Sequence, residues 1–161
     1  MAEYAIRSLT PADRVWMRRF FQEHWGGETI VVHGTVYHPM DLPGFVAEAA
    51  GCVLGLVTYT LHGKMCEIVS LDSVRRSEGI GTALLAQVRQ MAEAEGCRRL
   101  WLVTSNDNLN ALRFYQRRGF LLVAVHPDAV TAARLLKPTI PLVGDFGIPL
   151  RDELELEIRM S

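Results

Sequence analysis

Apolar and polar positions follow two periods along this chain, and the period changes near residue 80. Before it, apolar residues come in short runs bounded by glycine and proline. "YAIRSLT" (4–10) predicts a first strand. Thr10 before Pro11 predicts a helix start, because threonine can cap and proline is tolerated in the first turn. That helix is predicted to run to about Glu23. "GFVAEAA" and "CVLGLVTYTLHG" predict two strands turning at Gly51, and Gly63 turns into another, "MCEIVSLDSV". Residues 24–44, "HWGGETIVVHGTVYHPMDLPG", read as an irregular or partly strand-like loop. Segments of this composition often carry function.

From Ile80 the spacing lengthens. Ile80, Leu84, Val88 and Met91 lie on one face of a helix that Gly96 stops. "RRLWLVTS" (98–105) has the dense apolar middle of a buried parallel strand. "NDNLNALRFYQRRGF" predicts a second helix, capped by Asp107 or Asn108, with Arg117 and Arg118 at its negative end and Gly119 as its stop. "FLLVAVH" returns as a strand. Residues 127–153 form an insertion with a short helix and a Pro/Gly-rich loop. "LELEIRM" closes the chain, with Leu154, Leu156 and Ile158 on one face and Glu153, Glu155 and Glu157 on the other. A solvated edge strand explains that alternation as well as a role for Asp152, Glu153 and Glu155 in attracting a cationic ligand does. This order predicts one domain over 1–161 of the α/β (α+β) class. Its core is a mixed, mostly antiparallel central sheet of about seven strands with helices on both faces.

Composition adds limits. With 161 residues, 49% apolar and 22% charged, the chain suits one globular domain. A net charge of −1 gives no general attraction to nucleic acid or an acidic membrane. Cys52, Cys66 and Cys97 are scattered and lack paired histidine spacing. They are expected to be reduced core thiols, with no disulfide framework and no metal site. No apolar run reaches the roughly 18 residues of a membrane helix, and the first residues lack a signal-peptide core. The expectation is a cytoplasmic protein.

The candidate chemistry sits in "SVRRSEGIGTALL" (73–85). A strand ending in a glycine turn that opens a helix presents free backbone N–H groups and a positive helix end, which together favour an anion. Gly79 and Gly81 permit close approach, and Arg75 and Arg76 add charge. The spacing fits neither a P-loop nor a dinucleotide fingerprint. On the turn alone, a plain helix N-terminus with turn glycines explains the pattern as well.

Two blocks together make the pattern specific. Arg76-Ser77-Glu78-Gly79-Ile80-Gly81 matches the [RQ]-x-x-G-x-[GA] motif of the GNAT superfamily of N-acetyltransferases. "NDNLNALRFYQRRGF" resembles that superfamily's second block, with Asn108, Ala111, Phe114, Tyr115, Gly119 and Phe120 in place. The resemblance covers residues 1 to about 126 and extends to the last strand, and it leaves the 127–153 insertion outside. It implies a GNAT-like sheet whose central strands splay, with acetyl-CoA between them. It implies that the pyrophosphate lies on the backbone of Arg76, Ser77, Glu78, Gly79, Ile80, Gly81 and Thr82. The pantetheine arm would run along Leu71, Asp72 and Ser73, with Asn108 bonded to it and Ala111 beside it. Tyr115 would protonate the departing thiolate after direct attack by an amine, so the cysteines need no nucleophilic role.

Each assignment has a structural rival. Glu67, expected to share a face with Val69 and Leu71, is either a base for the amine or a structural ion pair. Tyr115 could be a core tyrosine, and Asn108 only a cap. Trp25, His33 and Tyr37 in the 24–44 loop, and Asp152 near the last strand, are candidate acceptor contacts or local hydrogen-bonding groups. The implied activity is acetyl transfer from acetyl-CoA to a primary amine, with a small-molecule acceptor, and the insertion would wall its pocket. Acetylation of a protein N-terminus or lysine and a non-catalytic acyl-CoA-binding module are the rival classes. No nucleic-acid or membrane partner is expected. The alternation at 153–158 is compatible with a homodimer through the last strands.

Overall fold

The computed structural model describes residues 3–74 and 79–161. The chain runs β1 (Ala5–Ser8), α1 (Arg14–Trp25), β2 (Ile30–Val32), β3 (Thr35–Tyr37), β4 (Gly44–Ala49), β5 (Cys52–His62) and β6 (Met65–Ser73). It continues through α2 (Ile80–Ala94), β7 (Arg99–Ser105), α3 (Leu109–Gln116), β8 (Leu121–His126), α4 (Ala129–Leu136) and β9 (Glu153–Arg159). Seven strands form one sheet in the order β1-β4-β5-β6-β7-β9-β8, and β2 and β3 form a separate hairpin from the 24–44 segment. Only β6 and β7 pair in parallel; the other neighbours are antiparallel.

Each sheet face is covered by an apolar cluster. On one face Ile80, Leu84 and Val88 of α2 pack with Val57, Ile68, Leu100 and Leu156. On the other, Met17, Phe20 and Phe21 of α1 pack with Leu56, Val69 and the hairpin residues Ile30 and Val32. Each such large side chain contributes about 1.5–3 kcal/mol by leaving water. Asp13 begins α1 with a buried carboxylate held by Arg7 (2.8 and 2.9 Å) and by the Trp16 indole (2.8 Å). The Arg7 guanidinium holds that carboxyl well below the usual carboxylate range.

Three sequence expectations are corrected. β9 is not an edge strand, because it lies between β7 and β8. Two of its glutamates are therefore ion-paired. Arg99 bonds Glu155 and reaches Glu157 at 2.6 Å, and His126 meets Glu155 at 3.0 Å. The edge is β8, whose Leu121, Leu122, Val123 and Val125 are exposed, so a dimer at this end of the sheet would meet β8. Glu67 shares a face with Val69 but not with Leu71. Thr58 and Tyr59 of β5 pair with Ser70 and Ile68, so β6 carries one extra residue, a bulge that turns Leu71 to the α2 side. Finally, Cys66 and Cys97 are buried thiols, but Cys52 is exposed.

Gly55 sets how closely the first turn of α2 approaches the sheet. A Cβ there would lie 2.7 Å from Ile80 Cγ2 and 2.8 Å from the Asp72 carbonyl oxygen. Gly55→Ala is expected to destabilise the fold by about 2 kcal/mol through overpacking. Urea unfolding checks this, and an unchanged midpoint would show that α2 yields freely.

Candidate active site

The site begins where a strand pair stops. β6 and β7 pair over Met65–Arg99, Cys66–Leu100 and Glu67–Trp101 only. Beyond Glu67 the strands diverge, although each continues to Ser73 and Ser105. The β7-facing backbone groups of residues 68–72 are left without a strand partner, which makes them available to an extended ligand.

A cavity of about 920 Å³ fills this gap. Leu71, Asp72 and Ser73 line it from β6, and Leu102, Val103 and Thr104 from β7. Gly79, Ile80, Gly81 and Thr82 line its end at the start of α2. Gly79 caps α2 with φ +77°, a left-handed conformation that glycine adopts without strain. A Cβ on Gly81 would come 3.4 Å from the Phe114 ring, so a small residue keeps this end open. The first N–H groups of α2 have no partner inside the helix and face a positive helix end. Arg75, Arg76, Ser77 and Glu78 lie outside the described residues.

Helix α3 supplies the opposite wall. Asn108 caps it: the side-chain oxygen accepts from Ala111 N (3.1 Å) and the amide nitrogen donates to Thr104 Oγ1 (3.2 Å). Asn108, Ala111 and Tyr115 all line the cavity. Tyr115 is buried against Phe114 and Phe120. Burial, with the Asp72 carboxylate nearby, pushes its hydroxyl well above the ordinary tyrosine value. The hydroxyl has no hydrogen-bond partner among the described residues. Asp72 itself is pushed up to about 6 by burial, an effect the Trp25 indole N–H opposes from 3.0 Å.

Arginines on α3 also reach the cavity, which the sequence reading did not anticipate. Arg113, Arg117 and Arg118 line it. Arg118 lies over the Phe114 ring at 3.8 Å and donates to Thr82 Oγ1 at 2.7 Å. Their spacing of four, 113 to 117 and Phe114 to Arg118, was a usable helical signal.

At the vertex of the gap Glu67 is 4% exposed, and it is fully partnered. The Tyr37 hydroxyl donates to Oε1 at 2.6 Å, and His33 Nε2 lies 2.7 Å from Oε2. His33 rests on Trp101, with ring centroids 5.2 Å apart, and its backbone N–H donates to Glu153 at 3.0 Å. The hydrogen bond to Glu67 raises the His33 pKa above 6.5. Three separate sequence candidates, Glu67, His33 and Tyr37, thus form one cluster, which lines neither of the cavities described here. Asp152 does not join it. Its carboxylate holds Asp128 N and Arg151, and it lines neither cavity described here.

A second cavity, of about 220 Å³, lies on the α1 side of the gap. It shares Trp25, Val69, Val103, Thr104 and Asn108 with the first. The insertion walls it through Val130 and Ala133 of α4 together with Ile140 and Leu150. The loop is fixed by residues ahead of α3. Asp107 accepts from Asp145 N at 2.8 Å, and Asn106 holds Arg151 N and Asp152 N at 3.0 Å.

Comparison with known proteins agrees with this geometry. Residues 9–120 match the model of the acetyltransferase (GNAT) family. The chain is 48% identical over 136 residues to the uncharacterized protein YdhI of Bacillus subtilis, covering 84% of this chain and 85% of that protein. The IAA acetyltransferase from Bacillus cereus superposes with a TM-score of 0.72 at 19% identity, over 98% of this chain and all of that one. An Elizabethkingia anophelis GNAT acetyltransferase solved with acetyl-CoA bound superposes with a TM-score of 0.68 at 17% identity, over 99% and 100% of the two chains. With the diverging central strands, the glycine-opened helix and the sequence match in hand, the chain belongs to the GNAT family of acetyltransferases.

Proposed function

We propose that this protein transfers an acetyl group from acetyl-CoA to a primary amine on a small molecule. The observation that carries the reading is the gap between β6 and β7, open to a long ligand along one strand edge and closed at the far end by the start of α2. The residues fit an acyl-CoA. The glycine-lined helix start and the arginines on and just after α3 suit phosphates, and the β6 edge of residues 68–72 suits an amide-bearing arm. The small second cavity favours a small acceptor over a protein chain.

Acetyl-CoA supplies a thioester carbonyl: the amine nitrogen bonds to it, the C–S bond breaks and CoA leaves. Tyr115 keeps its proton at neutral pH because burial disfavours the phenolate. It is a weaker acid than a thiol of pKa about 8.5. Its general-acid role is therefore a hydrogen bond that strengthens as charge builds on sulfur. Glu67 takes the amine proton, with His33 and Tyr37 fixing its two oxygens. Asn108 orients the bound arm from the cap of α3.

Tyr115→Phe is expected to lower kcat about 100-fold, within the usual range for general-acid loss, and to leave the KM for acetyl-CoA within about twofold. Steady-state thiol release measures both, and an unchanged kcat would return Tyr115 to a packing role.

The pH dependence follows from the His33–Glu67 pair. Below the raised His33 pKa, imidazolium occupies Glu67 and mutes it as a base. As pH rises through that value the imidazole becomes neutral and activity rises. A kcat/KM profile is expected to rise through an apparent pKa above 6.5, and His33→Gln is expected to shift that limb to lower pH. The acceptor amine titrates identically in both proteins, so superimposable profiles would remove His33 from the proton path.

A further inference from the structure

The second cavity holds two buried charges that do not meet. Lys137 is 9% exposed and Glu153 is 4% exposed. Both line the cavity, yet no ion pair joins them among the described residues. The Lys137 ammonium donates to the carbonyls of Trp25 (2.7 Å) and Thr29 (2.5 Å). An ammonium has three donors, so one remains. No carboxylate lies within 4.0 Å of it among the described residues, and burial lowers its pKa. A buried cation without a counter-charge is costly, and an anion brought in by a ligand would offset that cost. Glu153 accepts from the His33 N–H, and the ring of the same histidine meets Glu67.

Between the two charges the wall is aliphatic, formed by Ile30, Val32, Val130 and Ala133. At roughly 30 Å³ per water, about 220 Å³ equals on the order of seven waters, which suits a molecule of amino-acid size. Lys137 and Glu153 both follow residue 120, where the family match ends.

We infer that the acceptor is a free α-amino acid with a small aliphatic side chain, its carboxylate bound by Lys137 and its amine directed toward Glu153 and the gap. The inference rests on the acetyltransferase reading and narrows it. Lys137 is then a specificity residue, although it also ties the end of α4 to the end of α1.

The test compares matched acceptors on the whole protein: alanine, valine and leucine against ethylamine, isobutylamine and isoamylamine. Rates are expressed per concentration of free-base amine, so lower basicity does not count as preference. Acetyl-CoA binding is measured by calorimetry alongside. Wild type is expected to favour at least one amino acid over its decarboxylated partner by 100-fold or more in kcat/KM. In Lys137→Met that ratio is expected to fall at least tenfold. A purely structural lysine would lower the melting temperature and both rates while leaving the ratio unchanged. A wild-type ratio near one, or no amino-acid turnover by protein that binds acetyl-CoA, overturns the inference and leaves the acetyltransferase reading standing. Failure to bind acetyl-CoA removes the reading beneath it as well. The wild-type ratio requires no variant, so a poorly folding Lys137→Met does not block the test.

Discussion

The parallel pairing of β6 and β7 stops after three residue pairs, and the site depends on that interruption. Completed to Ser73 and Ser105, the pairing would satisfy the strand edges and leave no room between the strands. The bulge on β6 helps set the direction of divergence. It places one extra residue against β5, bonds Ser70 to Thr58 at 2.6 Å, and turns Leu71 to the α2 face. The sheet remains held because each half of it has its own antiparallel neighbours: β4 and β5 on one side, β9 and β8 on the other. Separate apolar clusters on the two faces hold the strands in place across the gap.

Opening the sheet brings a cost at its vertex, where Glu67 is buried. The structure meets that cost with the β2–β3 hairpin, which carries His33 and Tyr37 to the two carboxylate oxygens. The same histidine reaches Glu153 through its backbone, which links the vertex to the closing strand. On β9, Arg99 satisfies Glu155 and Glu157 from the neighbouring strand, while Glu153 is met by the His33 backbone N–H and by no cationic side chain among the described residues. One charged network thus runs under the face where an amine would arrive.

The two cavities divide the work. The larger is built from elements inside the family match, and its arginines and helix start suit a phosphate-bearing ligand. The smaller is closed by the insertion, which Asn106 and Asp107 pin to the start of α3. The smaller cavity thus combines residues inside the family match, five of them shared with the larger, with residues of the insertion.

The sequence by itself determined the elements and the glycine-opened helix. Periods of two and 3.6, Thr10–Pro11, and glycines at 79, 96 and 119 are local signals that each residue carries with it. Asn108 and Tyr115 were readable because their spacing in α3 is also local. Tertiary structure alone decided that β9 lies inside the sheet. Alternation of Leu and Glu is the same whether the polar face meets water or Arg99. It alone decided that Leu71 leaves the Glu67 face, because a bulge depends on the partner strand's register. It alone gathered Glu67, His33 and Tyr37, and set Lys137 apart from the carboxylates among the described residues. Those contacts join residues 30 to more than 100 positions apart, and burial of a charge is a property of what packs around it.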